Sequence, residues 1–267
     1  ITDDVPFIDL VREGHLNANL RRAVELGLDP IRAVRFATIN AATRLRLYDR
    51  GAVSPGYKAD VLLLDDLKDF VPNLVLSDGQ VVAENGTCLV TVPSRPFPEE
   101  FYRSIHVLPL EESDFALPNA EGTKALCNIM GGSTQVTRTT RTQQWLPIHG
   151  GKLDTTGLIK LAVIYRHGYG RSKAPGKEVS LALLSGFPNF RGALATTYAH
   201  DSHNLMVFGQ NDADMALAAN RLMEMGGGLC AVLDGQVISD VSLPVAGLLT
   251  EEPVEVLIHS FEAFFQA

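Results

Sequence analysis

Cysteine is nearly absent from this sequence: Cys88, Cys127 and Cys230 are the only three in 267 residues. Their odd number and wide spacing argue against the disulfide framework of a small secreted domain, and for a reducing, cytoplasmic compartment. Basic residues are also in the minority. There are 23 Lys and Arg against 31 Asp and Glu, a formal net charge of -8 at pH 7. No basic run offsets that excess, so a surface that tracks nucleic-acid phosphates is not expected. No apolar run approaches the roughly 20 residues of a membrane span, so no membrane partner is expected either. The opening residues ITDDVPFID have neither the basic start nor the apolar stretch of a signal peptide. They also have no initiator Met and no strand leading into TDD. That start reads as a cut in the middle of a domain, and a fragment, a nicked chain or a truncation is expected.

What remains is ordinary globular material, 46% hydrophobic and 20% charged. The length suffices for one large domain or two ordinary ones, with a sizeable core. Residues 7 to 47 read as helices. Leu16, Leu20, Val24 and Leu26 fall near a helical period that Gly27 stops. Asp29 and Pro30 form a good second start, as N-cap and first helical residue. Ile31, Val34 and Ala37 then share a face, and 41 to 47 make a last short helix.

The character changes at Gly51. Val61 to Leu64 is a short apolar strand after a Pro-Gly turn, and Asp78-Gly79 between two short strands is a hairpin signal. Pro93, Pro96 and Pro98 suggest a linker. Beyond it the pattern is mixed. Strands are expected at 158–166, 192–199 and 205–209, with a helix at 212–225 ended by Gly226. A second hairpin turns at Asp234-Gly235, and a closing helix runs over 253–265.

Two clusters carry chemistry. Asp3 and Asp4 stand directly before the first helix. They either help hold a metal and take a proton from its water, or simply cap that helix. The second cluster is AHDSHN, Ala199 to Asn204. Two imidazoles and a carboxylate within four residues after a strand suit a metal or a polar ligand, or else a polar turn. The glycine-rich stretch from Gly170 to Lys177 is not a phosphate loop. It has five residues between its glycines, and Glu178 follows the lysine. His106, His149, His167 and His259 sit singly and read as structural or surface residues. Cys127 and Cys230 lie in apolar strings and read as core.

The longer strings add a resemblance. TDDVPFIDLVREGH, the AT-x-N-A-A segment from Ala37 to Ala42, and the D-x-G-x-x-x-P-G-x-x-A-D-V segment from Asp49 to Val61 resemble the amidohydrolase superfamily. TDD with the following Gly14-His15, RGALATTYAHDSHNLMVFGQNDADMALAANRL and LPVAGLLTEEP resemble its adenine deaminases in particular. The resemblance implies hydrolysis of adenine to hypoxanthine and ammonia at a divalent metal centre. That centre would be binuclear, with manganese or iron favoured over zinc. Asp3 would be a metal ligand that also moves the water's proton. Asp4 and His15 would support it from behind, and His200, Asp201, Ser202 and His203 would bind adenine.

The superfamily's His-x-His, its bridging carboxylate and its two later histidines have no counterpart here. The expected partner is therefore the N-terminal barrel portion, and the 267 residues alone should be inactive. A homo-oligomer is also expected. The fold class that follows is α/β in three regions. Residues 1–48 would end a (β/α)8 barrel, 49–93 belong to a small β-sandwich domain, and 94–267 form a separate α/β domain. The rival readings are another cyclic amidohydrolase and a non-catalytic binding or assembly module derived from one.

Overall fold

A computed structural model describes residues 2, 5–91, 93, 95–131, 140–169, 173–187 and 189–267. The chain forms two compact units, 1–95 and 96–267, of mixed helix and strand.

The first unit opens with four short helices, α1 (Phe7–Arg12), α2 (Leu16–Glu25), α3 (Pro30–Ala37) and α4 (Ile39–Arg44). The expected start at Asp29 is present. Its carboxylate accepts the Arg32 amide at 2.9 Å, with Pro30 in the first turn. Of the residues expected to share a face of α3, Val34 and Ala37 are half-buried and Ile31 is 58% exposed, while Ala33 is closed off completely. Helix α3 packs against both α2 and α4, and the small alanine side chain permits the close approach. The last helix ends three residues before the expected Leu47, in a turn through Arg46 at φ 59°.

Four strands follow: β1 (Val61–Leu64), β2 (Pro72–Ser77), β3 (Gln80–Glu84) and β4 (Thr87–Cys88). They form an antiparallel meander in sequence order. Asp78 and Gly79 both have positive φ (52° and 80°), the backbone that a tight two-residue hairpin of matching twist requires. Asp60 holds this turn by accepting the Asp78 amide at 2.8 Å. The same geometry recurs at Asn85 and Gly86.

The second unit is built on a large sheet. Its strands are β5 (Lys124–Gly131), β6 (Thr140–His149), β7 (Lys152–Leu153), β8 (Ile159–Ile164), β9 (Val179–Ser185), β10 (Ala193–Thr196), β11 (Leu205–Gly209), β12 (Gly228–Leu233) and β13 (Gln236–Ser242). The order across the sheet is β13-β12-β10-β11-β8-β9-β5-β6-β7. Pairing is antiparallel except between β5 and β9. Helix α5 (Asp212–Glu224) lies on β10, β11 and β12, and α6 (Val254–Gln266) packs beside β13. Asn211 caps α5 by accepting the Asp214 amide at 2.7 Å.

The core between α5 and the sheet holds Phe115, Ile164, Ala195, Leu205, Val207, Met215, Leu222 and Cys230. Cys230 is fully buried as expected, and burial pushes its thiol up to about 11. Cys127 differs from expectation: it is half-buried at the edge of a smaller cluster, because β5 buries one face only partly. Strand β8 is buried on both faces, which is why its sequence reads as an unbroken apolar run around Lys160. The Lys160 ammonium is satisfied by the Phe115 carbonyl and an ion pair with Asp212. Among the described residues no helix is long and apolar enough to cross a membrane.

Candidate functional site

Strand β11 pairs antiparallel with both β8 and β10. The C-terminal ends of β8 and β10 therefore meet the N-terminal end of β11 at one edge of the sheet. Residues 197–204, between β10 and β11, form the loop at that edge. Thr197 anchors its start. The hydroxyl is fully buried, donates to the Gly247 carbonyl at 2.6 Å and accepts the Gly228 amide at 2.8 Å. The His203 amide closes a turn onto the Ala199 carbonyl at 2.7 Å. The His200–Asp201 peptide is cis.

The turn gathers three rings. His200 and His203 meet edge-on with centroids 5.0 Å apart, and Tyr198 lies 5.2 Å from His200 and 6.1 Å from His203. Asp201 and Ser202 stay exposed at the tip. The Ser202 hydroxyl accepts from the Asn204 amide side chain at 3.1 Å. The Nδ1 atom of His203 is buried without a hydrogen-bond partner among the described residues. Such an atom is costly unless a ligand or water pairs with it.

Of the residues expected from sequence, the structure brings His200 and His203 into contact. Asp3 and Asp4 lie outside the described residues. His15 is exposed at the start of α2, where its Nε2 is 2.6 Å from the Thr2 hydroxyl. Among the described residues no group of three or more His, Cys, Asp or Glu could hold a metal ion.

Three participants were not legible in the sequence. Tyr198 adjoins the motif but was not singled out. His167 does not stand alone: its Nε2 is 3.1 Å from the Ser202 carbonyl, and its ring meets Tyr165 edge-on at 5.6 Å. Arg166 lies buried at the end of β8, against this loop. A histidine or tyrosine just past a buried strand was the available signal for the first two. Nothing in the sequence pointed to Arg166.

Burial holds the His203 imidazole below its ordinary 6.5, with His200 and Arg166 adding to the effect. Asp201 and the Thr197 backbone oppose it only partly. The folded state thus prefers neutral His203, and the unfolded chain binds the proton first as pH falls. Stability is fully present above about 6.5 and declines from there down to the lowered folded value. His106 adds to the same window, lowered by burial and then by Lys173 and His167. Between pH 7 and 5 the melting temperature should fall, and less so in His203→Gln. Equal slopes for the two proteins would remove His203 from the account.

Residues 2–82 match the family described as the amidohydrolase family, and residues 136–267 match the adenine deaminase C-terminal domain. Along most of its length the chain is thus similar to the adenine deaminases of the amidohydrolase family. Among its relatives, an adenine deaminase of Nitratidesulfovibrio vulgaris (strain DP4) is 38% identical over 262 residues, 97% of this chain and 44% of the relative. One of Moorella thermoacetica is 40% identical over 262 residues, 96% of this chain and 43% of the relative. One of Desulforamulus reducens is 37% identical over 259 residues, 95% of this chain and 43% of the relative. The chain thus spans less than half the length of these relatives.

Proposed function

We propose that this chain is the C-terminal part of an adenine deaminase, which converts adenine and water to hypoxanthine and ammonia in purine salvage. The observation that carries this reading is the order of the two family matches along one chain, amidohydrolase first and adenine deaminase C-terminal domain second. Residues 1–48 then close a metal-dependent (β/α)8 barrel, 49–93 are strands of its small β-sandwich domain, and 94–267 are the adenine-deaminase-type domain.

The family implies a divalent metal, but the described residues do not fit one by themselves. Asp3 is proposed as one ligand, with Asp4 and His15 in support. The remaining ligands belong to the rest of the barrel, and the 267 residues are proposed to be inactive alone.

The His200–His203 loop is proposed to read the purine. Adenine offers ring nitrogens, an exocyclic amine and two flat faces. Imidazoles and a tyrosine 5 to 6 Å apart suit both hydrogen bonding to its edge and stacking on its face. The unpaired Nδ1 of His203 is the group most in need of such a partner.

The test is steady-state deamination by the enzyme containing this chain. His203→Ala should lower kcat/KM for adenine by about 10²-fold, roughly 2.7 kcal/mol, without releasing metal. Normal kinetics with a reduced melting temperature would mean that the loop only holds the domain together.

A further inference from the structure

Arg166 lies two residues beyond β8 and is 2% exposed. Its Nε donates to the His203 carbonyl at 2.5 Å. Nη1 donates to the Ser104 hydroxyl at 2.9 Å and to the Ser104 carbonyl at 3.3 Å, and Nη2 to the Ala246 carbonyl at 3.0 Å. Every one of these acceptors is neutral. Among the described residues no carboxylate forms an ion pair with Arg166, and burial pulls the guanidinium below its ordinary value. A buried cation without an anion is poor value as packing, because an apolar residue of similar size would avoid the desolvation cost.

The identity of the acceptors supplies the reason for its presence. His203 has φ 48° and Ala246 has φ 56°. Both lie in the left-handed region that a side chain disfavours, and such residues persist only where their surroundings over-determine them. One guanidinium therefore grips the carbonyls of two strained residues on two separate loops. The two loops are joined a second time by the Thr197 hydroxyl on the Gly247 carbonyl. The turn is also moulded to the guanidinium: a Cβ at Gly247 would meet Nη1 at 2.9 Å.

We propose that Arg166 is a positioning residue, which locks the 197–204 loop and the turn around Ala246 into one unit and so fixes where the His200 and His203 rings point. Its consequence for adenine binding rests on the reading of that loop as the purine-binding element. Lysine cannot replace it, since a single point charge does not reproduce the planar fork that serves three segments at once.

The experiment is a histidine-ring NMR titration of the 267-residue chain, with His203 assigned by loss of its signal in His203→Gln. In the unaltered chain His203 should titrate below an exposed histidine. In Arg166→Lys and in Arg166→Met it should move up to the exposed value, and the Tyr198 ring resonances should shift with it. The lysine variant keeps a positive charge, so a rise there reports release of the loop rather than loss of repulsion. A lower melting temperature with the His203 titration and Tyr198 shifts unchanged would overturn the proposal. Should both Arg166 variants fail to fold, Ser104→Ala removes one acceptor only. It should produce a smaller shift of the same sign, and no shift would equally overturn the idea. In the complete enzyme, Arg166→Lys should raise KM for adenine about tenfold or more with little change in kcat. If the resonances move but KM does not, Arg166 positions the loop and the purine-binding reading is the one that fails.

Discussion

Asp3→Ala, made in the complete enzyme, should lower adenine turnover by at least about 10³-fold, a loss of roughly 4 kcal/mol in transition-state stabilisation. The expectation rests on the place of Asp3 in the TDD string ahead of the helices that match the amidohydrolase family. A carboxylate that both holds a metal and accepts the proton of the attacking water loses both roles at once when truncated. Asp4→Asn, at the neighbouring position, should cost far less. Ammonia release and bound-metal analysis check the pair together. Activity of the alanine variant within about tenfold of normal, only about 1.4 kcal/mol, would refute the assignment. The fold of residues 96–267 should be untouched, since they form a compact unit of their own.

The largest effect on stability should come from Phe115→Ala. Phe115 is completely buried in the core between α5 and the sheet. It ends the 3-10 turn Glu112–Phe115, which packs on α5. Truncating a fully buried phenylalanine costs about 3–5 kcal/mol. For a unit of this size that is a fall of about 6–20 °C in melting temperature. The ring is one of several reasons the turn sits where it does. Asp114 accepts the Glu111 amide at 2.7 Å and pairs with Lys177 at 3.0 Å, and the Phe115 carbonyl takes the Lys160 ammonium. The Glu111 amide and then Lys177 hold the Asp114 carboxyl below its usual range. Thermal melts of the 267-residue chain provide the check. A drop of less than about 2 °C would show that Phe115 is not the keystone its burial suggests.

Phe115 also marks the limit of the sequence. Between 94 and 154 no strand or helix is expected from sequence, and that stretch contains β5, β6, β7 and this turn. Strand β5 alternates exposed and half-buried residues with mixed chemistry, and Trp145 on β6 lies 57% exposed under Lys124. Here one face is closed only at Ile129, Leu146 and Ile148, and exposed Leu126 and Trp145 on the other blur the period-2 signal. The 3-10 turn has no period at all. Its place is set by what it covers.

The sequence by itself determined the elements whose cause is local. A proline behind an aspartate starts α3, and paired positive-φ residues at Asp78-Gly79 and Asp234-Gly235 turn two hairpins. The strand β8 and the span of α5 up to Gly226 were equally readable, as was the likeness to adenine deaminases. The AHDSHN string was visible as chemistry for the same reason: its residues are neighbours in the chain. Only the tertiary structure decided that Arg166, 37 residues before His203 and 80 before Ala246, grips both their carbonyls. It alone joined His167 to Ser202 and closed Phe115 under α5. Those contacts depend on which strands lie side by side. The sheet order β10-β11-β8 brings residues far apart in sequence to one edge, and no local pattern encodes an adjacency created by strand pairing.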